Sequence, residues 1–277
     1  MSAPSDPGRS TRDDRILRST RTLSVAIIPF LLVAFVDLYF WPHDTNRYFA
    51  WAIKPGLTPM ILGSVYLGGS YFFARAARAT EWHVIKGGFV PVAAFAALMG
   101  VATILHWDRF NHRHVAFWLW AGLYFTTPFL VAAVFVANRR YDAAVAPGDA
   151  LLPLALARTI GAVGVLAAFT SAFLFLQPKR AINVWPWTLS PLTARVMAAI
   201  FALGVAAIGT LFERRWSSVR LMVQVATVMF GLIVIATIKS RGDIDSGAAL
   251  TWVFAGGFLA VIVACVLLLR AGRQASA

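Results

Sequence analysis

The chain has 277 residues, of which 59% are hydrophobic and 13% are charged, and its mean hydropathy is +0.71. A soluble domain carries nearer to a quarter charged residues, so this composition excludes an ordinary water-soluble protein. Basic residues exceed acidic ones by 25 to 12, but they lie at the ends of apolar segments, so we expect lipid headgroups and no nucleic acid as their partner.

The first predicted segment, residues 1–22, is a basic cytoplasmic tail. Its arginines precede the first apolar run as they would in a signal peptide, at Arg9, Arg12, Arg15, Arg18 and Arg21. The run that follows is long, and no small-x-small cleavage site follows Trp41. We therefore interpret it as a retained first membrane span.

Eight apolar stretches are long enough to cross a bilayer as helices, which needs roughly 20 residues for a hydrocarbon core about 30 Å thick. In chain order they are 23–41, 57–74, 86–105, 115–137, 158–177, 192–212, 220–238 and 248–269. The sequence therefore predicts an all-α integral membrane protein.

The loops between these stretches differ in charge. With the N-terminus inside, the inner segments carry sixteen Lys or Arg residues and the outer segments carry nine. The positive-inside rule then predicts a multi-pass protein of the cell inner (plasma) membrane with both termini in the cytoplasm.

The chain also matches itself. An offset of 134 pairs Trp82 with Trp216 and Trp118 with Trp252, while an offset of 136 pairs Trp51 with Trp187. We predict two tandem, parallel four-helix units, 23–140 and 158–270, joined by a cytoplasmic linker, 141–157, and followed by a tail, 271–277. Four spans per unit place the loops 41–58 and 177–193 on the same, outer face, across an axis near the membrane normal.

The two predicted units differ in their polar residues and prolines. All five histidines lie in the first unit, as do three prolines inside spans, Pro29, Pro91 and Pro128. Either these residues drifted into one unit after duplication, or the first unit carries the working site and the second is scaffold.

The stretch HWDRFNHRHVAFW, 106–118, holds three histidines beside an aspartate on the outer side. His106, Asp108, His112 and His114 are of the residue types that bind zinc, and they form one candidate metal site. Their spacing matches no established metal motif, and Arg109 and Arg113 would repel a cation. The alternative is a solvated loop at the level of the lipid headgroups.

Eight of the ten tryptophans fall on or near the predicted outer side, although an interfacial belt normally occupies both surfaces. One hypothesis is an outward aromatic and basic cradle for an anionic amphiphile such as a lipid or an isoprenoid-like ligand. Its candidate ligand-binding residues are Arg47, Trp51, Lys54, Lys179, Arg180, Trp185, Trp187 and Asp37. The alternative is that the rings only anchor and fold the outer loops.

No motif points to a reaction or a cofactor. The sequence shows no GxSxG, no CxxC, no phosphate-binding loop and no recognisable serine–histidine–aspartate order, so we expect no cofactor and assign no catalytic residue. Transport or binding of an amphiphilic or anionic ligand at the outer loops is therefore the leading function. The alternatives are a membrane enzyme or redox component using the histidine loop, and a non-catalytic subunit or assembly factor with membrane-protein partners.

Overall fold

The computed structural model describes residues 13–274, and within this range the protein is all-helical, with two isolated β-bridges and no longer strand. Eight of its helices are long and apolar enough to cross a membrane, which confirms the predicted number of apolar helices. They are α1 (Arg18–Phe40), α2 (Leu57–Arg78), α3 (Trp82–Leu105), α4 (Val115–Tyr141), α5 (Leu154–Leu176), α6 (Pro191–Leu211), α7 (Trp216–Lys239) and α8 (Ala249–Gly272).

Several helices extend past the apolar runs that predict them. Helix α1 begins at Arg18 and not at 23, and its start is held by Asn138, whose side-chain oxygen accepts hydrogen bonds from the Leu17 amide and the Thr20 hydroxyl, each at 2.9 Å. Asn138 is fully buried and donates its amide N–H to the Arg15 carbonyl at 3.0 Å. The polar residues from Arg18 onward can therefore form the first turn of the helix, because Asn138 accepts hydrogen bonds from donors at the helix start.

The predicted cytoplasmic tail, 1–22, is partly folded onto the bundle. Asp14 and Ile16 are buried, and the Asp14 carbonyl accepts a hydrogen bond from the Trp82 amide at 2.7 Å. Residues 1–12, with Arg9 and Arg12, and the last residues of the C-terminal tail, 275–277, lie outside the described part.

The eight helices pack in pairs and then across the centre of the molecule. Helix α1 packs on α2, α3 on α4, α5 on α6 and α7 on α8, while α2 packs on α7 and α3 on α6. The most apolar window of α2 is 78% buried, whereas that of α8 is 6% buried. Helix α2 therefore lies at the centre, and α8 presents its apolar surface to the surroundings, as a lipid-facing helix does.

The bundle has two distinct ends. One end is called here the terminal end. Hydrogen bonds at this end join segments that are distant in sequence: His83 to Asp14, Asn138 to Arg15 and Leu152 to Arg214. At the opposite end, called the loop end, the amide of Asn111 donates to the Ala50 carbonyl and that of Asp245 to the Pro186 carbonyl, each at 2.9 Å. The two longest connections, 41–56 and 177–190, lie at the loop end.

Candidate functional site

An apolar cavity of about 140 Å³, partly open to the surroundings, lies between helices of the bundle. Six helices line it, α1, α2, α3, α4, α6 and α7, so it sits where the first four helices meet the last four. Among its lining residues are Val65, Tyr66, Phe95, Ala96, Tyr124 and Met229. Tyr66 lies nine residues into α2, about 14 Å from the start of that helix, which is near the middle of a hydrocarbon layer about 30 Å thick.

The polar feature of this cavity is a pair of tyrosines. The hydroxyls of Tyr66 and Tyr124 are 2.7 Å apart, and the rings are 2% and 3% exposed. One hydroxyl donates to the other, and the accepting hydroxyl keeps its own O–H. Within the described residues neither hydroxyl has another partner, so the pair keeps one spare O–H donor, and Thr127 carries the other side-chain hydroxyl among the lining residues.

The tryptophans of the predicted outer cradle are packed inside the loop end and do not form an open surface. Trp51 is 3% exposed and packs against Phe110 and Trp120, with ring centroids 5.1 Å and 4.7 Å away. Trp185 and Trp187 are 9% and 5% exposed and their ring centroids are 5.3 Å apart. These rings are packed between their loops and neighbouring helices, Trp51 against Trp120 and Trp185 against Phe254.

One of these tryptophans also joins the two halves of the chain. The indole N–H of Trp187 donates to the Thr58 hydroxyl at 3.0 Å, so the second long loop is bonded to the start of α2. The indole nitrogens of Trp51 and Trp185 are buried and have no hydrogen-bond partner in the described residues.

The charged residues of the same prediction are on the surface. Arg47, Lys54, Lys179 and Arg180 are exposed, and the Arg47 guanidinium lies 5.2 Å from the centroid of the neighbouring Tyr48 ring. Asp37 is half-buried near the loop end of α1, and its carboxylate makes no ion pair with residues 13–274. The structure thus separates the buried rings from the exposed charges of the predicted cradle.

The histidine stretch is divided among different partners. The Arg195 guanidinium donates to Nε2 of His106 at 2.7 Å, while Nδ1 of His114 accepts from the Ala116 amide at 3.2 Å. The ring of His112 stacks on Trp107 at 5.0 Å. Asp108 pairs with the adjacent Arg109 at 3.2 Å.

These partners leave the four predicted metal ligands apart. Between residues 13 and 274 no group of three or more His, Cys, Asp or Glu side chains is arranged to hold a metal ion. Burial lowers the pKa of His106 from its ordinary value of 6.5, and the positive charge of Arg195 lowers it further. His106 is therefore held neutral as an acceptor for Arg195.

The terminal end carries a network of ion pairs around the buried Arg215 that sequence reasoning missed. Arg215 is 2% exposed, and its side chain makes two hydrogen bonds to Glu213, one of them from Nε at 2.8 Å. Lys86 lies 2.8 Å from Glu213 and 2.7 Å from Asp142, and the Arg215 guanidinium donates to the Ala143 carbonyl at 2.9 Å. The network therefore joins the first turns of α3 to two connecting segments, the one before α5 (Asp142 and Ala143) and the one before α7 (Glu213 and Arg215).

Opposing effects act on the acid and the base of this network. Burial alone would raise the pKa of Glu213, but hydrogen bonds from Arg215 and Lys86 outweigh it and lower the pKa from 4.5 to about 2. Burial would lower the pKa of Arg215, and the hydrogen bonds and charge of Glu213 raise it instead. Both groups are therefore charged at neutral pH and hold each other in place.

Comparisons of this chain with protein-family models, with curated proteins and with solved structures find no match. The site is therefore interpreted from its geometry.

Proposed function

We propose that this polytopic membrane protein binds the apolar part of an amphiphilic ligand inside the bundle, in the cavity that contains Tyr66 and Tyr124. The observation that carries the proposal is the cavity itself, which lies where the two halves of the chain meet. Its walls are almost wholly apolar, as in small-molecule sites that bury most of a ligand and orient it with few polar groups.

The size of the cavity limits what fits. A dry apolar cavity of about 150 Å³ accepts a molecule the size of benzene. A volume of about 140 Å³ therefore holds one ring or one isoprenoid-sized unit, with the rest of the ligand between helices or in lipid.

The tyrosine pair adds a chemical preference. The spare O–H of this pair, together with the Thr127 hydroxyl, favours a ligand with a hydrogen-bond acceptor, such as a carbonyl or ether oxygen, beside its apolar body. A ligand with an acceptor oxygen satisfies that donor, for a net gain of about 0.5–1.5 kcal/mol. The proposed ligand is thus a lipid or isoprenoid-like molecule with an oxygen near one end.

The exposed basic residues of the loop end keep a role in this proposal. Arg47, Lys54, Lys179 and Arg180 carry positive charge on the connections that also bury Trp51, Trp185 and Trp187. They would attract an anionic headgroup toward the bundle before its apolar part enters.

We also propose that the chain is a tandem repeat of two parallel four-helix units. Helix α5 begins and ends 136 residues after α1 begins and ends. Helix α7 begins 134 residues after α3, and α8 begins 134 residues after α4. In the proposed repeat α2 is equivalent to α6 and α3 to α7. A two-fold axis between the units therefore makes the contact of α2 with α7 equivalent to the contact of α3 with α6, and both contacts are present.

Equivalent hydrogen bonds support the same repeat. The indole of Trp118 donates to the His112 carbonyl at 3.0 Å, and that of Trp252 donates to the Ser246 carbonyl at 3.2 Å. The amide of Trp216 donates to the Ala150 carbonyl at 2.8 Å, in the same way as Trp82 donates to Asp14.

In the proposed topology the terminal end faces the cytoplasm across the cell inner membrane and the loop end faces outward. The excess of basic residues on segments of the terminal end supports this orientation.

A pair of phenylalanine substitutions tests ligand binding. Ala96 is 1% exposed and lines the cavity, whereas its neighbour Ala97 is exposed on the outside of α3. Ala96→Phe adds a ring to a cavity with room for about one ring, and Ala97→Phe adds the same ring where lipid accommodates it. The double variant Tyr66→Phe, Tyr124→Phe removes both hydroxyls and keeps the shape.

The readout is native mass spectrometry of protein extracted in mild detergent, with identification of the retained molecules. We expect wild type and Ala97→Phe to retain an apolar molecule bearing an oxygen acceptor, Ala96→Phe to lose it, and the tyrosine double variant to retain less. Equal retention by Ala96→Phe and wild type, or no retained molecule in any of them, would reject the proposal.

The other two functional classes stay predictions. A metal or redox role for the histidine loop predicts bound metal that is lost in a His112→Ala, His114→Ala variant when measured by elemental mass spectrometry. A subunit or assembly role predicts membrane-protein partners that co-purify in stoichiometric amounts.

A further inference from the structure

Three side chains at the terminal end form a linked series that the sequence did not reveal. Nδ1 of His83 is hydrogen-bonded to one carboxylate oxygen of Asp14, and the other oxygen accepts from the His83 amide at 3.1 Å. On the far side of the ring, Nε2 of His83 lies 2.9 Å from the Ser217 hydroxyl. No serine–histidine–aspartate order is recognisable in the sequence, but the fold brings these three side chains together.

The aspartate determines which ring nitrogen carries the proton. A carboxylate only accepts hydrogen bonds, so Nδ1 of a neutral His83 must be the N–H that donates to Asp14. Nε2 then presents its lone pair, and the Ser217 O–H donates to it. This is the resting state of a hydroxyl nucleophile with its general base and an orienting acid.

Burial is distributed as this chemistry requires. Asp14 and His83 are 8% and 4% exposed, while Ser217 is exposed at the second residue of α7. Ser218, next to it, donates to the His83 carbonyl at 2.6 Å and fixes the start of α3 against α7.

We propose that Asp14, His83 and Ser217 form an acyl-transfer site for carboxylic esters at the membrane surface. His83 and Ser217 lie at the first residues of two apolar helices, which is the depth where hydrocarbon gives way to lipid headgroups and their ester groups. An exposed hydroxyl at this depth meets esters of amphiphiles directly.

The proposed reaction is hydrolysis of the ester in two steps, with water as the second reactant. The Ser217 oxygen bonds to the ester carbonyl carbon while its proton moves to Nε2 of His83. The carbon–oxygen bond to the leaving alcohol breaks, and the alcohol takes that proton. Water then attacks the acyl group on Ser217 through the same base, releasing the carboxylic acid and restoring the serine.

A covalent probe tests the site without knowledge of the natural ester. Purified full-length protein is incubated with an alkyl fluorophosphonate, digested and mapped by mass spectrometry, in wild type and in Ser217→Ala, Asp14→Asn and Ser246→Ala. Ser246 is the matched control because it is exposed and, within the described part of the chain, its hydroxyl makes no hydrogen bond to a histidine, unlike that of Ser217. Hydrolysis of p-nitrophenyl butyrate in solution and of p-nitrophenyl palmitate in detergent micelles is measured beside it.

We expect the phosphonyl group on Ser217 in wild type and Ser246→Ala, none in Ser217→Ala, and labelling of Asp14→Asn slowed by at least tenfold. Faster cleavage of the palmitate ester identifies an amphiphile substrate, and faster cleavage of the butyrate ester a soluble one. A wild-type protein whose Ser217 peptide stays unlabelled, or a label that persists in Ser217→Ala, overturns the proposal. Peptide mapping of wild type decides the matter even where a variant does not fold.

Discussion

Replacing Glu213 with glutamine removes the negative centre of the buried ion-pair network at the terminal end. The Glu213 side chain is 13% exposed and lies against Arg215, which is 2% exposed. Glutamine keeps the shape and one acceptor oxygen, so the change removes charge and not packing. The fully buried Arg215 is then left with Asp142, at 3.6 Å, as an ion-pair partner, and with the charge of Asp14.

The size of the effect follows from the pKa of Glu213. The difference between its ordinary pKa of 4.5 and about 2 in the folded protein corresponds, at about 1.4 kcal/mol per pKa unit, to about 3 kcal/mol of unfolding free energy. Removing one partner of a buried pair costs about 3–5 kcal/mol, which agrees. At roughly 2–4 °C per kcal/mol, glutamine should lower the melting temperature by about 6–12 °C at pH 7.

The sign of the pH dependence is set by the lowered pKa. The stabilisation from Glu213 is fully present above pH 4.5 and is lost as the pH falls toward 2, because the unfolded chain takes up the proton first. Wild type should therefore lose stability between pH 4.5 and 2 more steeply than Glu213→Gln does.

The assay is thermal unfolding of the detergent-solubilised protein, followed by intrinsic fluorescence from pH 7 to pH 3. Glu81→Gln is the control, because Glu81 is an exposed glutamate at the same end. A Glu213→Gln protein that melts within 1–2 °C of wild type at pH 7, or whose melting temperature falls in parallel with wild type on acidification, would refute the reasoning.

Three further predictions concern other contacts. Asn138→Ala leaves a backbone N–H and a hydroxyl at the start of α1 without their acceptor, so unfolding free energy should fall by about 2 kcal/mol in denaturant titrations. Because the folded pKa of His106 lies below 6.5, wild type should lose stability as the pH falls below 6.5, and His106→Asn should reduce that loss in pH-dependent melting. Gly164→Ala places a methyl group 2.7 Å from a backbone nitrogen of α6 and should cost about 1–3 kcal/mol by thermal melting, whereas Gly122→Ala, which meets nothing within 4 Å, should not destabilise.

The apolar runs predicted the eight helices because a membrane helix must be apolar along its whole length, and that requirement is visible one residue at a time. Their ends were predicted less well. The start of α1 depends on Asn138, which lies 120 residues further along the chain and belongs to a different helix. A window of sequence contains no information about such a partner.

The candidate sites were harder to predict for a similar reason. The distribution of tryptophans along the sequence indicated that the loop end was aromatic. Whether Trp51 faces a ligand or the protein interior, however, depends on its packing against Phe110 and Trp120, which lie in other segments. The Tyr66 and Tyr124 pair becomes a site only because α2 and α4 bring the two hydroxyls together. One signal was available: the offset of 134 that pairs Trp82 with Trp216 also pairs His83 with Ser217.

The proposed membrane topology places both long connections, 41–56 and 177–190, on the outer face. It is tested most directly by cysteine accessibility in intact cells. Single cysteines are placed at Asp44, Arg180 and Glu81 in a Cys265→Ala background and exposed to a membrane-impermeant maleimide. Positions 44 and 180 should both be labelled from outside, and position 81 only after the membrane is opened. Labelling of 44 and 180 from opposite sides would contradict the account.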